Sequence, residues 1–288
     1  MHKFLRAIGF SELKKKDLEI LTEEIIENPE LMKVTRDSEG NEFAEFTRTF
    51  AENMGLVVRG NYNEEDEFVP EYVLPFFDGR CNTTDEVIEI EKHAEKETYA
   101  GICDDPHLGL TLIFFINNVA DYLAVHKKNP LHAKVKGATL SALSVDGKIL
   151  LPLEAKKTKS AEKRNENRSK LIAEARDGDE SAIENLTVQD MDIYSRLSRR
   201  IKKEDLMTIV STSFMPYGIE SDQYGILANI LELETITNQI TGEEIYCMKV
   251  ECNDLEFDVC INHKDLAGEP MVGRRLKANI WMQGNVCL

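Results

Sequence analysis

The spacing of apolar residues is helical near the start of the chain and becomes strand-like after residue 42. Ser11 stands at a helix start, and Asn28-Pro29 provides a stop. The helical repeat between them is carried by Leu13, Leu18, Leu21, Ile25 and Ile26. Farther along, runs rich in Phe, Val, Tyr and Thr alternate with Gly, Asn and Asp, which predicts antiparallel strands. These strands are 43–50, 55–62, 68–77, 87–91, 98–102 and 110–116.

A second strand-rich stretch fills the last part of the chain, with strands predicted at 206–214, 224–237, 244–252, 255–263 and 276–286. Five strands in so short a segment predict a small closed barrel, similar by analogy to an oligonucleotide/oligosaccharide-binding (OB) barrel. The fold class is therefore predicted as α+β. A strand-rich antiparallel-sheet domain occupies 1–155, a helical connector 156–205, and a small all-β barrel domain 206–288.

The connector differs from its neighbours in charge. Residues 156–170 carry seven basic side chains against two acidic ones and almost no large apolar side chain, a pattern typical of a linker or a solvated helix start. Beyond it, Asp179 is predicted to cap a helix at 180–186, and a second helix is predicted at 188–201.

Two hairpins can be worked out in register. Asp146-Gly147 suits a type I′ turn, which needs positive φ at both loop residues, so residues 140–145 should pair with 148–153. Asn253-Asp254 can form a similar loop, which pairs 244–252 with 255–263. This register collects Tyr246, Met248, Val250 and Cys252 with Leu255, Phe257, Val259 and Ile261 on one face, predicted to face the core, and leaves a polar face in water.

Cys247 and Cys260 fall opposite each other on that polar face. Such a pair position brings Cα atoms to roughly 4.5 Å, which a disulfide accepts, so a redox-sensitive thiol pair is one hypothesis. An incidental reduced pair is the alternative, because nearby carboxylates offset Lys249 and no strong positive field lowers the thiol pKa.

Composition narrows the classes of protein. Lys plus Arg total 35 against 52 Asp plus Glu, a formal charge of −17, which disfavours general binding to nucleic acid or anionic membranes. The longest apolar run, residues 108–116, is far shorter than the roughly 20 residues of a membrane span, and the first ten residues do not resemble a signal peptide. Six irregularly spaced cysteines do not make a disulfide framework. We expect a cytoplasmic protein.

Motifs with established chemistry are not found: there is no HExxH, no CxxC, no phosphate loop and no GxSxG. No cofactor and no metal site is therefore predicted. The most suggestive cluster holds Asp104, Asp105 and His107, which could bind a divalent ion or act as acid and base. The alternative is an ordinary loop, because Asp and Pro are turn formers.

The last strand offers a candidate contact surface. Arg275, Lys277 and Trp281 share one face of it, opposite the apolar residues, and basic groups beside an aromatic side chain can bind a nucleotide or another partner. The alternative is a Trp that covers the end of the barrel or packs against the neighbouring domain.

Several stretches resemble a known family in their amino-acid sequence. They are residues 1–10, 214–220, 241–246, 268–275 and 281–284. Together they are similar to a domain-of-unknown-function family of cytoplasmic proteins from anaerobic Gram-positive bacteria, over essentially the whole chain. The resemblance implies a bacterial origin, and it implies no activity, cofactor or catalytic residue.

The leading hypothesis is a non-catalytic cytoplasmic protein that binds or scaffolds an unidentified protein or small-molecule partner. A hydrolase or metal-dependent enzyme centred on Asp104, Asp105 and His107 is one alternative. A nucleic-acid-binding module that uses the basic connector with Arg274, Arg275 and Lys277 is the other.

Overall fold

The computed structural model is a strand-rich α+β protein. The chain divides into two units, one made of Met1–Leu151 with Thr212–Leu288 and the other of Pro152–Ser211. The residues that the structure describes are 2–80, 82–92, 97–105, 108, 110–126, 134–152, 171–172, 174–175, 179–188, 210–218 and 221–288. No helix among them is both long and apolar enough to cross a bilayer.

The first unit begins with a 3-10 helix at Lys3–Ile8 and helix α1 at Lys15–Glu27, and helix α2 at Val119–Val125 follows its seventh strand. The strands before the connector are β1 (Leu31–Arg36), β2 (Glu42–Ala51), β3 (Met54–Tyr62), β4 (Phe68–Phe77), β5 (Thr84–Lys92), β6 (Tyr99–Asp105), β7 (Leu110–Ile116) and β8 (Lys134–Leu150). Those after it are β9 (Ser213–Pro216), β10 (Gln223–Thr237), β11 (Glu244–Cys252), β12 (Leu255–Asn262), β13 (Leu266–Ala267) and β14 (Arg275–Val286).

Strands β1 to β4 form an antiparallel sheet in sequence order, which we call the small sheet. Between β2 and β3, Asn53 adopts a φ of 57°, a left-handed conformation that asparagine tolerates. Between β3 and β4, the side chain of Asn63 accepts hydrogen bonds from the backbone N–H groups of Glu65 and Glu67, both at 2.9 Å, and so closes an Asx turn. Local turn chemistry accounts for the order of these strands.

Strands β5 to β14 form a second sheet of ten strands. Its central pair is β8 with β14, antiparallel from Leu150 opposite Arg275 to Ala138 opposite Val286. Two closed cycles of pairing share this central pair: β8–β12–β11–β10–β14 and β8–β5–β6–β7–β14. Within the cycles, only β12 with β8 and β7 with β14 are parallel.

The strand-rich α+β class is confirmed, while the large sheet crosses the domain boundaries that the sequence suggested. β8 lies in the predicted domain 1–155 and β14 in the predicted domain 206–288, yet the two strands pair along most of β14. The cycle that contains β10, β11, β12 and β14 takes its fifth strand, β8, from before the connector. Alternation within a strand does not specify a partner so distant in sequence.

Of the two predicted hairpins, one is confirmed and the other is wrong. β11 pairs with β12 in the predicted register around Asn253 and Asp254, whose φ values are 53° and 64°. Asp146-Gly147 instead lies inside the continuous strand β8. A Cβ on Gly147 would come within 2.7 Å of the Ile261 side chain, so this glycine serves close packing between strands.

The two faces of the β11–β12 hairpin belong to two different cores. The apolar face, with Val250 and Phe257, lies in the interior of the large sheet as predicted. The opposite face does not remain in water. Cys247 and Cys260 are buried in a second core, formed with the small sheet, the 3-10 helix and α1, and Asp258 on the same face is also buried. A sheet that is distant in sequence covers this face.

The strands predicted between residues 43 and 116 are confirmed as β2 to β7, and the helix near the start as α1. α1 begins later than predicted, with Lys14 rather than Ser11 at the N-cap. β1 and α2 were not predicted. In the second unit, Asp179 caps a helix over residues 180–188 as predicted, accepting hydrogen bonds from the N–H groups of Ser181 (2.8 Å) and Ala182 (3.3 Å). The basic stretch 156–170 and the predicted helix after residue 188 lie outside the described residues.

Glu243 attaches the N-terminal segment to the large sheet. Its carboxylate accepts hydrogen bonds from the Ser11 hydroxyl at 2.5 Å, the Asn262 amide at 2.6 Å and the Lys264 ammonium at 2.8 Å. Burial acts to raise the pKa of Glu243, but these hydrogen bonds outweigh it and hold the pKa below its ordinary value. A carboxylate with a lowered pKa stabilises the folded state while it is charged.

We expect Glu243→Gln to lower the free energy of unfolding by ~1–2 kcal/mol near neutral pH, because hydrogen bonds to the charged group are lost. The difference should be fully present above the ordinary carboxyl pKa of about 4.3 and should shrink as the pH falls through the lower pKa of the folded state. Urea denaturation at pH 7 and in acid measures both effects. The matched control is Glu244→Gln at an exposed neighbour; an equal loss in the two variants would contradict the assignment.

Candidate functional site

A row of polar side chains crosses the small sheet where its strands are otherwise apolar. The strand register places Lys33 of β1 opposite Glu45 of β2, Glu45 opposite Arg59 of β3, and Arg59 opposite Tyr72 of β4. Paired residues share a face of a sheet, so all four lie on the face opposite the one that carries Ala44, Leu56 and Val58 into the second core.

The centre of this row is a buried ion pair. Arg59 is 0% exposed and Glu45 4%, with 2.5 Å between Arg59 Nε and Glu45 Oε1. Burial acts to lower the pKa of Arg59, but Glu45 and Tyr72 outweigh it and hold the pKa above its ordinary value. The pair also attaches the small sheet to the following elements, because Arg59 donates to the carbonyl of Asn117 and Glu45 accepts from the N–H of Ala120 in α2.

An open cleft of about 260 Å³ lies beside this ion pair. Its residues come from β1 to β4, the β7–α2 junction, α2 and β14, and most of them are polar. The lining consists of Leu31, Lys33, Glu45, Thr47, Val57, Phe76, Asp78, Asn117, Asn118, Asp121 and Asn285.

Asp78 carries the carboxylate at the exit of β4. Asn285 donates to it from β14 at 2.8 Å, while the nearby Asn117 amide at the end of β7 donates to the Phe77 carbonyl at 3.3 Å. Burial raises the pKa of Asp78, and the two neighbouring amides and the charge of Lys33 only partly oppose that effect. The charged form of Asp78 is therefore poorly compensated in the cleft.

The remaining lining residues form a charged rim, a sheet extension and an apolar wall. Lys33 Nζ lies 2.6 Å from Asp121 Oδ2, and both side chains are partly exposed. Asn118 donates to the Val286 carbonyl at 2.9 Å and accepts from its N–H at 3.0 Å, and so continues the edge of β14 through a side chain. The apolar wall consists of Leu31, Val57 and Phe76.

The residues of the predicted contact surface do not form an exposed group. Trp281 is 5% exposed and Arg275 4%, while Lys277 is exposed. The Trp281 indole donates to Asp222 at 2.7 Å, and its ring centre lies 5.4 Å from that of Phe4. The strand alternation was read correctly. The 3-10 helix and the small sheet cover the Trp281 face, which agrees with the alternative of a packed Trp rather than with an exposed contact surface.

Two basic residues that the nucleic-acid alternative used are engaged with backbone carbonyls. Arg275 donates to the carbonyl of Leu151 at 3.0 Å, and Arg274 donates to that of Glu269 at 2.6 Å. Burial lowers the pKa of Arg275.

The predicted thiols Cys247 and Cys260 are directly opposite each other, as the register required. Both are buried free thiols. Burial raises the pKa of Cys247 to about 12 and raises that of Cys260 as well, which disfavours the nucleophilic thiolate. A redox role for this pair stays a prediction.

The Asp104, Asp105 and His107 cluster is only partly described. Asp104 and Asp105 belong to strand β6 rather than to a loop, and Asp104 accepts a hydrogen bond from Thr111 at 2.7 Å. His107 and the Asp105 side chain lie outside the described residues. Among the described residues, no group of three or more His, Cys, Asp or Glu side chains is placed to hold a metal ion.

Ser11, Glu243 and Lys264 have the composition of a nucleophile with a base, since Lys264 Nζ lies 3.1 Å from Ser11 Oγ. Hydrogen bonding to Glu243 raises the pKa of Lys264, so the ammonium stays protonated and does not accept a proton from the serine. The pKa of Glu243 is lowered, which makes it a weak base. This cluster stabilises the attachment of the N-terminal segment.

The fold and cleft define a strand-rich α+β protein with a polar cleft between the small sheet and the end of the β8–β14 pair. The chain belongs to the family described as "Domain of unknown function, E. rectale Gene description (DUF3881)", whose model matches residues 5–284. This confirms the resemblance stated from the sequence. No curated protein matches the chain, and no solved structure matches it.

We expect Arg59→Met to cost ~3–5 kcal/mol of folding free energy, because it leaves Glu45 buried without its cation. The double variant Glu45→Gln/Arg59→Met should cost less than the sum of the two single changes, since it removes the unpaired charge. Urea denaturation of the four proteins in the cycle measures this coupling. Arg48→Met on the same strand pair is the control. Arg48 is partly exposed, lies 3.7 Å from exposed Glu24 and 5.8 Å from the centre of the Phe50 ring, and its replacement should cost under about 1 kcal/mol. Additive effects in the cycle would contradict the assigned pair.

Proposed function

We propose that the protein is a non-catalytic binding protein whose cleft beside the Glu45–Arg59 pair takes a small polar molecule. The observation that carries the proposal is convergence: side chains from β1 to β4, the β7–α2 junction, α2 and β14 meet in one cleft. Separated polar groups that converge on a concave surface with an apolar wall are typical of a ligand site. The volume of about 260 Å³ favours a small ligand.

Binding rather than turnover is favoured by how the polar groups are held. Glu45 is paired with Arg59, and Lys33 with Asp121. Asn118 is held by the backbone of Val286. Groups fixed in this way can orient a ligand, whereas a general base needs a proton-accepting group free to reach the reacting atom.

We further infer that the protein is cytoplasmic. We also infer that the cycle of strands β8–β12–β11–β10–β14 forms a small OB-like barrel. Its support is that each strand of the cycle pairs with two others of the same cycle and that one face of these strands is apolar. In this arrangement β8 and the strands after the connector together form the barrel that the sequence suggested for residues 206–288 alone.

Closing the cleft with a larger side chain tests the binding site. Leu31 lines the cleft and Met32 lies on the opposite face of β1, and the two are similarly exposed at 49% and 46%. We expect members of a panel of small amines, polyols, amino acids and carboxylates to raise the Tm of the wild-type protein by several degrees, since a ligand at about 100 times its Kd adds ~2.7 kcal/mol. Leu31→Trp should abolish that rise, and Met32→Trp should retain it.

No rise in Tm with any member of the panel, or an equal loss in both Trp variants, would contradict the site. The proposal that the protein is non-catalytic is tested separately, by measuring turnover of phosphatase, esterase and glycosidase substrates. Robust activity abolished by a single substitution at Asp104 would overturn it in favour of the enzyme alternative.

A further inference from the structure

The charges that meet in the cleft do not balance within it. Arg59 neutralises Glu45, and Lys33 neutralises Asp121. Among the described residues, no Lys or Arg forms an ion pair with Asp78, which accepts a hydrogen bond from the neutral amide of Asn285. Lys33 acts on Asp78 only at longer range, so one carboxylate in the cleft has no ion-pair partner.

The neighbours of Asp78 add hydrogen-bond acceptors. Asn285 donates its amide N–H to the carboxylate, which can only accept when ionised, and Asn117 beside it donates its amide N–H to the Phe77 carbonyl. Each amide also carries a carbonyl oxygen, and no described residue donates a hydrogen bond to either oxygen. The cleft thus combines one carboxylate with two carbonyl acceptors and an apolar wall of Leu31, Val57 and Phe76.

We propose that the ligand of this cleft carries a primary ammonium group on a short aliphatic body, and that Asp78 binds the ammonium. An ammonium group has three N–H donors and no acceptor, which matches the carboxylate and the two amide carbonyl groups. The aliphatic body packs against the apolar wall. The inference rests on the proposed function, because it names the ligand class of the same cleft.

The state of Asp78 supports this assignment. Burial raises its pKa, because the charged form is disfavoured where water is partly excluded, and the nearby charge of Lys33 only partly offsets this. A bound cation removes that penalty, whereas a neutral ligand leaves it and an anion increases it. The same reasoning predicts that Asp78→Asn folds with unchanged or raised stability.

Three probes with one carbon skeleton test the ligand class: 4-aminobutan-1-ol, butane-1,4-diol and 4-hydroxybutyrate, each titrated calorimetrically into the full chain at neutral pH. We expect the amine to bind and the other two not to bind. Asp78→Asn should weaken amine binding at least about tenfold. Asp254→Asn is the matched control, because it removes one carboxylate outside the cleft at an exposed turn position with positive φ that asparagine tolerates, and it should leave the affinity unchanged.

The outcomes separate this inference from the proposed function. One outcome is that the diol or the hydroxy acid binds, that Leu31→Trp abolishes this binding, and that Asp78→Asn leaves it intact. In that case the cleft is a ligand site but the ammonium assignment is overturned. Amine binding that Leu31→Trp abolishes and Asp78→Asn leaves unchanged also overturns the role of Asp78. Failure of the amine to bind the wild-type protein at millimolar concentration overturns the ligand class, while the broader panel still decides the proposed function. Urea denaturation of Asp78→Asn verifies that a loss of binding is not a loss of fold.

Discussion

The antiparallel pairing of β8 with β14 is the constraint on which the rest of the first unit depends. It joins the strands before the connector to those after it, and both cycles of pairing in the large sheet pass through it. Both faces of the pair are covered over much of its length: Ala142 and Met282 lie in one core, and Leu143 and Trp281 lie in the other. A strand pair buried on both faces tolerates little change in register, because a slip of one residue exchanges the contents of the two cores.

The candidate site lies where the small sheet meets the end of this pair. Gln283 of β14 accepts from the N–H of Phe77 at 3.1 Å and donates to the carbonyl of Pro75 at 3.0 Å, so the end of β4 is fixed against β14 by side-chain hydrogen bonds. Two residues farther along, Asn285 reaches Asp78. The cleft is thus a product of docking two sheets through polar contacts, and the buried Glu45–Arg59 pair is part of the same contact. A buried pair contributes little net stability, and its attachment to Ala120 and Asn117 points to a role in fixing the position of α2.

The sequence was most informative where structure is local. The β11–β12 register followed from two residues that tolerate positive φ. The strands between 43 and 116 were predicted because turn-forming residues separate them. Gly147 shows the limit of that reasoning. Asp146-Gly147 suits a turn, but in β8 the absence of a side chain at Gly147 leaves room for the side chain of Ile261. The prediction that the Cys260 face stays in water is wrong for a related reason, and the same ambiguity left two alternatives for Trp281, since alternation identifies two faces and does not show what covers them.

The cleft itself was beyond the sequence, because its residues come together only through long-range pairing. The sequence did contain part of the pattern that marks the cleft residues. Glu45 and Arg59 interrupt apolar stretches of their strands. Counting back from the Glu52-Asn53 turn would pair Glu45 with Gly60, and only the register shift between Thr49 and Ala51 brings Glu45 opposite Arg59. Asn117 and Asn118 follow directly after a strand. Asp78 likewise follows directly after β4, and only Asn285, which lies inside β14, carries no such local mark.

The distance in sequence between the members of the central pair has a kinetic consequence. Val286 pairs with Ala138, so β8 has no β14 beside it until the chain has been synthesised as far as β14. Pairings of this kind require closure of long loops before they gain contacts, and they slow folding. Until β14 has been synthesised, apolar residues of β5 to β8 lack the strands that cover them in the native sheet, and exposed apolar surface of this kind favours aggregation and chaperone binding. Because β14 is the last strand of the large sheet in chain order, the pairing that unites the sheet is among the last of its pairings to form.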